Sequence, residues 1–348
     1  MRSIPPGEGA TRRVARLPRV DPVPDPRSSS DARPTGHGGG RPATSVRWAA
    51  LASTLVAVVL VAGCGDDGPP AGDVLVADVG EVAALAPLPD GGLRYGVRLT
   101  GVVYEVDADG EVTELASVAV GVDGQRGLLG LAVDDSDRTF AAWTATDGRL
   151  LVGQVAPGPE RIVWRGPPST ELGNGGHLLV APDGSLVLGV GDLQDPGATA
   201  DPTTPNGKLL RLDADGRGRQ TPEVLSSGYT NPFAFAFSPA GALWVFDNAT
   251  RDDPERLVRG DQPGAEPALA QRAEMAPSGL TAVSDDVLVV CGYLSRTLER
   301  VVLHPDGTAE RTAVLAEPCA MGAAALASGR VVFSDGASLR TVDAEPDG

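Results

Sequence analysis

The sequence predicts an all-β protein, a six-bladed β-propeller, and two observations lead to this fold class. The 348 residues include 45 Gly and 30 Pro, and no long run after residue 64 repeats apolar residues with a helical period, so short strands joined by turns are expected. Turn tips that follow a first apolar strand recur at intervals of 45, 48, 57, 45 and 43 residues: Gly91, Ser136, Gly184, Gly241, Asp286 and Gly329. Six units of this length, each with about four strands, favour a propeller over a β-sandwich.

The third unit shows the repeating pattern most clearly. Two apolar runs, Leu178 to Val180 and Leu186 to Val190, flank a Pro-Asp-Gly turn and predict a hairpin. The glycines at four of the six tips are expected to have positive φ. Residues 193–206, which lengthen the next interval, have no strand pattern and predict an inserted surface loop, where ligand contacts often lie. Residues 73–79 are expected to close the ring with the last unit, so the propeller spans 73–343.

The segment before the propeller predicts export and lipidation. Residues 1–47 are rich in Arg, Pro, Gly and Ser, and predict a disordered or mis-assigned extension. The apolar run 48–62 follows Arg47 and is typical of a signal-peptide core, with a transmembrane anchor as the alternative. Val61 to Cys64 resembles a bacterial lipobox, in which the cysteine is acylated and becomes the first mature residue. With 48–64 as signal peptide and 65–72 as linker, a lipid-anchored protein on the extracytoplasmic face of the cell membrane is expected.

The charge of the mature chain excludes one class of partner. Residues 1–64 contain 9 of the 29 basic and 4 of the 46 acidic side chains, which leaves 20 basic and 42 acidic residues and a net charge of −22. Such a surface repels nucleic acid. An anionic ligand would need locally placed cations.

Three motifs carry a family resemblance. They are the run GQRGLLGLAV from Gly124, the third-unit hairpin Asn174 to Asp192, and the run from Thr230 to Asn248. Together they resemble the PQQ-dependent soluble glucose/sorbosone dehydrogenase family across the predicted propeller. The resemblance implies oxidation of a sugar by hydride transfer to PQQ, with calcium held near the site.

The resemblance also gives the candidate catalytic residues. In the family, a segment H-x-G-G-R-L supplies a histidine general base, a role that suits imidazole because its pKa lies near neutral pH. The matching segment here begins at Gly173, so glycine occupies the base position and His177 stands where the family has arginine. Asp192 matches the acid that orients the family's histidine. We interpret His177 as a packed strand residue, with a relocated base as the alternative.

The implied cofactor contacts are only partly matched. Gln125 and Asn231 keep polar positions of the family, but Thr230 replaces an arginine, and Cys319 lies where the family has an arginine pair. Arg126 is expected to compensate in part. Because charge-assisted hydrogen bonds contribute ~1.5–3 kcal/mol each, their loss predicts weak binding of a tricarboxylate.

The remaining candidates concern a metal and a disulfide. The family holds calcium where this chain has an acidic loop, whose candidate ligands are Asp247, Asp252, Asp253 and Glu255. Oxygen ligands suit calcium, although a plain acidic loop is the alternative. Cys291 and Cys319 are expected either to pair, as exported thiols often do, or to remain separate buried thiols.

These observations favour a lipoprotein whose propeller binds a sugar, another small molecule or a cell-envelope protein without efficient oxidation. One alternative is a PQQ- and calcium-dependent oxidoreductase acting on an aldose. A metal-dependent lactonase or other hydrolase is a further alternative.

Overall fold

The computed structural model describes residues 70–249 and 253–345, and these ranges fold into short antiparallel strands. In chain order, the strands are β1 Asp73–Val76, β2 Val82–Pro87, β3 Leu93–Val97, β4 Val102–Val106, β5 Val112–Ser117, β6 Leu128–Val133, β7 Thr139–Thr144, β8 Arg149–Ala156, β9 Arg161–Pro168, β10 Gly175–Val180, β11 Leu186–Val190, β12 Lys208–Leu212, β13 Glu223–Ser227, β14 Ala234–Phe237, β15 Leu243–Asp247, β16 Glu255–Arg259, β17 Leu269–Gln271, β18 Pro277–Ala282, β19 Val287–Gly292, β20 Leu298–Leu303, β21 Ala309–Ala316, β22 Met321–Ala325, β23 Arg330–Ser334 and β24 Leu339–Asp343. A short 3-10 helix spans Pro196–Ala200. The predicted signal peptide, Cys64 and Asp252 lie outside the described residues.

The strands form six four-stranded sheets arranged as propeller blades. Five blades use consecutive strands, β2 to β5, β6 to β9, β10 to β13, β14 to β17 and β18 to β21. The sixth consists of β22, β23, β24 and β1, because Asp73 of β1 pairs with Thr341 of β24. The N-terminal strand therefore closes the ring, as predicted. The first strands of successive blades contact one another around the whole ring, so they are the innermost strands.

Turn chemistry explains the repeat that is visible in the sequence. All six predicted tips lie in the turns between the first and second strands of their blades. The four tip glycines have positive φ, namely Gly91 (96°), Gly184 (82°), Gly241 (85°) and Gly329 (84°), a conformation that glycine adopts without steric cost. The all-β, six-bladed fold predicted from the period of these turns is confirmed.

The core lies between neighbouring blades. Fully buried Phe140, Leu178 and Leu188 pack the second blade against the third, while Phe235 and Val187 pack the third against the fourth. Both faces of each sheet are thus covered, which explains why the central strands are continuous apolar runs. None of the described residues belongs to a helix long and apolar enough to cross a membrane.

One end of the propeller collects most of the sequence candidates. We call it the entry end, and define it by the segments that precede the first strand of each blade and the turns that join its second and third strands. Gln125 and Gly173 precede β6 and β10, Asp192 follows β11, and Asn231 precedes β14. The inserted loop 193–206 joins β11 to β12 and also belongs to this end. A fold of this symmetry therefore brings together residues that are far apart in the chain.

Candidate functional site

Gly173 and Asp192 are neighbours at the entry end. A Cβ atom placed on Gly173 would lie 2.7 Å from Asp192 Oδ1. The family resemblance expects an acid beside the base at this position, and the geometry places the acid there. Gly173 has φ of +68°, a left-handed conformation that disfavours most side chains. The structure therefore places Asp192 beside Gly173, the position that the resemblance assigns to the base.

The carboxyl group of Asp192 is buried and has few hydrogen-bond partners. The residue is 6% exposed, and its Oδ1 accepts one hydrogen bond, from the backbone N–H of Gln194 at 2.9 Å. Burial raises the pKa of the Asp192 carboxyl above its usual value, the hydrogen bond from Gln194 opposes this rise, and nearby Asp195 adds to it. The carboxyl is consequently an acceptor with no cation of its own in the described part of the chain.

Two amide side chains hold the glycine segment in place. The Oε1 atom of Gln125 accepts a hydrogen bond from Gly173 N–H at 2.9 Å, and the Oδ1 atom of Asn231 accepts one from Gly175 N–H at 2.9 Å. Their NH₂ groups donate to no other side chain or backbone group of the described residues. We name Gln125, Gly173, Asp192 and Asn231 the polar cluster. It joins three blades and presents two amide donors and a carboxyl acceptor.

His177 lies on β10 and faces the next blade. Its Nε2 atom is 3.2 Å from the carbonyl oxygen of Phe235, and its ring meets the Phe235 ring edge-on at 4.6 Å between centroids. Desolvation lowers the pKa of His177 to about 4, and the hydrogen bond to the carbonyl only partly opposes this effect. The residue keeps partial exposure, but the ring is wedged between two blades. This geometry agrees with the interpretation of His177 as a packed strand residue.

The cations near the polar cluster are largely engaged by protein groups, although the Nε atom of Arg126 is buried without a partner. Arg126 donates from Nη2 to the carbonyl oxygen of Ser169 at 2.9 Å, and its Nη1 lies 3.7 Å from Asp123. Thr230, at a family arginine position, uses its N–H to bind Asp247. Cys319 forms a disulfide with Cys291, so no cation stands there. Thr230 and Cys319 therefore supply no cation for a planar tricarboxylate such as PQQ.

Two of the predicted calcium ligands, Asp247 and Glu255, are not brought together, and Asp252 lies outside the described residues. Asp247 is 1% exposed and accepts hydrogen bonds from Thr230 N–H, Asn231 N–H and Arg256 Nη2. Burial raises the pKa of this carboxyl, and those three donors oppose the rise. Among the described residues, no group of three or more His, Cys, Asp or Glu side chains is arranged to hold a metal ion.

The reason for this separation is the pleat of the fourth blade. Asp247 pairs with Arg256 on the neighbouring strand, so both side chains share one face of the sheet. Glu255 is one residue away and faces the opposite side, where it accepts hydrogen bonds from the N–H groups of Met275 and Ala276. Asp247 and Glu255 thus bind backbone groups of their own and neighbouring segments rather than a shared ion. Sequence reasoning grouped these acids by proximity along the chain and missed the alternation.

Lys208 is a structural residue of this end that the sequence analysis did not single out. It is 1% exposed, and its Nζ donates to the carbonyl oxygens of Asn206 at 2.9 Å and Thr199 at 3.2 Å. Burial lowers the pKa of the ammonium group, and Asp201 partly offsets this effect. Lys208 therefore ties the inserted loop to β12. Its status as the only lysine of the sequence was the available signal.

Sequence comparison decides the family. The sequence model of the glucose/sorbosone dehydrogenase family matches residues 81–262, which is more than half of the chain. The chain belongs to this family. The match runs from the first blade into the fourth and includes the whole polar cluster. No curated protein is detectably similar to the chain in sequence.

Solved structures with the same fold include several sugar dehydrogenases. The PQQ-bound aldose sugar dehydrogenase of Streptomyces coelicolor has 24% identity and a TM-score of 0.67, over 79% of this chain and 99% of that one. The soluble aldose sugar dehydrogenase of Escherichia coli in its apo form has 19% identity and a TM-score of 0.66, over 78% and 99%. The calcium structure of a Trichoderma reesei carbohydrate-active enzyme of family AA12 has 13% identity and a TM-score of 0.61, over 80% and 97%. At these identities the likeness shows the fold alone.

Proposed function

We propose that this family member is a lipid-anchored, extracytoplasmic protein that binds a neutral, polyhydroxylated ligand such as a sugar at its entry end, without efficient oxidation. The observation that carries the proposal is Gly173. A general base contributes typically ~10²–10⁴-fold to a rate, and the position beside Asp192 has no side chain to supply one.

His177 is a poor substitute for the missing base. A base with a pKa of about 4 is weak at neutral pH, where proton abstraction is favoured by a pKa near the working pH. Its Nε2 atom is also committed to the Phe235 carbonyl.

The chemistry of the polar cluster supports a neutral ligand. Hydroxyl groups both donate and accept hydrogen bonds, so they match the amide donors of Gln125 and Asn231 and the carboxyl acceptor of Asp192. An anion would meet the buried Asp192 carboxyl in a strongly acidic protein. For PQQ, the loss of two or more charge-assisted contacts of ~1.5–3 kcal/mol each predicts binding weaker by orders of magnitude than in relatives that have them.

A titration with separate readouts tests this proposal. PQQ binding to the purified chain is followed by the cofactor's absorbance, with and without Ca²⁺, and aldose binding is followed by calorimetry. Turnover is assayed with several sugars. We expect aldose binding, weak PQQ binding and marginal turnover. Asp192→Asn should weaken aldose binding, because the carboxyl acceptor is lost while the shape of the side chain is kept.

Variants at position 173 separate the missing base from the missing cations. Gly173→His should not restore turnover, because the cofactor's carboxylates would still lack partners; Gly173→His combined with Thr230→Arg supplies both. Gly173→Ala is the matched control, since it introduces the same left-handed strain without an imidazole. Robust wild-type turnover that is lost in His177→Ala would contradict the proposal and identify His177 as the base.

A PQQ-dependent aldose dehydrogenase is the second candidate function. It is supported by the retained polar cluster and by the PQQ-bound relative from S. coelicolor. In that case Gln125, Asn231 and Arg126 would contact the cofactor, which would accept hydride from the sugar. Tight PQQ binding by the wild-type chain, with sugar-dependent reduction, would establish this function.

The proposed localisation has its own test. Mass spectrometry of the protein purified from membranes should find a diacylglyceryl group on Cys64 as the first residue. Cys64→Ala should release or mislocalise the protein. A mature protein that still contains residues 1–63 would contradict the lipid anchor.

A further inference from the structure

Two large apolar side chains are exposed side by side at the entry end. Tyr293 is 52% exposed and Leu294 is 62% exposed, and both lie in the turn between β19 and β20. We name residues 293–296 the apolar turn. Exposing one apolar residue is ordinary, but two adjacent large ones on a fixed backbone indicate a contact surface.

The backbone of the apolar turn is well anchored. Tyr293 N–H donates to the carbonyl of Ala276 at 3.0 Å, Leu294 N–H to that of Met275 at 2.9 Å, and Arg296 N–H to that of Gly292 at 2.9 Å. These bonds fix the main chain of the turn, from which the Tyr293 and Leu294 side chains extend. Their exposure is a property of the folded propeller.

The apolar turn lies close to where the described chain begins. Cys319 N–H donates to the carbonyl of Arg296 at 2.7 Å, and Glu317 N–H donates to the carbonyl of Pro70 at 3.0 Å. The first bond joins the apolar turn to Cys319, and the second joins Glu317, two residues earlier, to Pro70. Pro70 therefore lies near the apolar turn. The proposed acylated Cys64 is six residues before Pro70, a span of at most about 21 Å even if fully extended.

We propose that the apolar turn inserts into the interface of the lipid bilayer and orients the propeller with this edge of its entry end towards the membrane. The inference rests on the lipid anchor proposed above, because the short tether keeps this edge within reach of the bilayer. Tyrosine and leucine suit the headgroup and acyl boundary. Arg296 is exposed beside them and can reach lipid phosphates.

Charge argues for an apolar contact. With a net charge of −22 for residues 65–348, the protein as a whole is repelled by anionic lipids. A bilayer contact is then favoured through apolar side chains, and the apolar turn exposes two of them near Pro70. Val74, which is 54% exposed on β1, is a further exposed apolar residue four positions after Pro70.

Depth-dependent fluorescence quenching tests this orientation. The acylated mature protein, which begins at Cys64, is reconstituted into phosphatidylcholine vesicles that contain lipids brominated at defined acyl positions. Leu294→Trp reports on the apolar turn. Val224→Trp is the matched control, because Val224 is 42% exposed on β13, the outer strand of the third blade. Both variants keep the same buried tryptophans as background.

We expect the added emission of Leu294→Trp to shift to the blue and to be quenched several times more strongly than that of Val224→Trp. Equal quenching, or none in either variant while Cys64 is acylated, would overturn the inference and leave the lipid anchor intact. A blue shift that depends on protein density but not on brominated lipid would indicate a second copy of the chain instead. Absence of acylation would refute the anchor and the orientation together.

Discussion

His177 should make the stability of the propeller depend on pH. The pKa of its imidazole falls from 6.5 to about 4 on folding, because the ring is desolvated between two blades. The folded state therefore binds fewer protons than the unfolded state between these two values, and stability increases with pH across that window. Above pH 6.5 the imidazole is neutral in both states and the folded protein has its full stability. As the pH falls below 6.5, protonation of His177 in the unfolded state lowers the free energy of unfolding.

The size of this effect follows from the shift. The full difference between the folded and unfolded pKa of His177 corresponds to about 3 kcal/mol in the free energy of unfolding, because one pKa unit is ~1.4 kcal/mol. At pH 5 the unfolded imidazole is almost fully protonated and the folded one is mostly neutral, so the wild type should lose about 2 kcal/mol relative to pH 7.5 through this residue. That is a substantial part of the free energy of unfolding of an ordinary domain.

Urea unfolding at pH 7.5 and pH 5 measures the effect. His177→Gln keeps an N–H donor for the Phe235 carbonyl but does not titrate, so its loss of stability should be smaller than that of the wild type by about 2 kcal/mol. His304→Gln, at a half-exposed imidazole far from this interface, is the control and should behave like the wild type. If wild type and His177→Gln lose the same free energy, the ring is not buried in its neutral form.

Three further predictions concern stability. Lys208→Met should lower the free energy of unfolding by about 1–3 kcal/mol, because it leaves buried carbonyls unpartnered; faster hydrogen exchange confined to residues 195–206 would locate the effect. Replacing Cys291 and Cys319 by alanine should lower it by about 3–4 kcal/mol, as expected for a loop with a sequence separation of 28, and denaturation under oxidising and reducing conditions would check this. Asp192→Asn should raise stability at neutral pH, since the folded carboxyl has a raised pKa and loses stability as the pH rises above 3.8; unchanged melting between pH 4 and 7 would contradict this.

The fold was predictable because the turn chemistry repeats. Gly184 and its equivalents recur once per blade, and the strand at residues 73–76 could be assigned to the last blade by counting strands alone. The disulfide was left open in the sequence, since pairing depends on how the fifth blade meets the sixth. Cys291 on β19 and Cys319 before β22 are adjacent only because the ring brings these blades together.

The candidate site was predictable in its members but not in its contacts. Family motifs identified Gln125, Asp192 and Asn231, and the structure shows how they connect through the backbone of the glycine segment. Motifs do not reveal which way a side chain faces, so Glu255 was grouped with Asp247 although the pleat separates them. The environment of His177 could not be predicted from its own segment, because the ring packs against the neighbouring blade. Phe235, which contacts the ring, is 58 residues later in the chain.

Asp192 gives the strongest physical argument for the ligand proposed at the entry end. The propeller core does not need this carboxyl: it lies after β11, receives one backbone N–H, and has a pKa raised by burial. An asparagine would keep the same shape and hydrogen bond without the cost of burying a charge. A buried carboxyl with a raised pKa that orients no base in this chain supports the proposal of a ligand that needs its charge or its acceptor atoms. If Asp192 serves a ligand, Asp192→Asn should therefore both weaken aldose binding and raise stability at neutral pH.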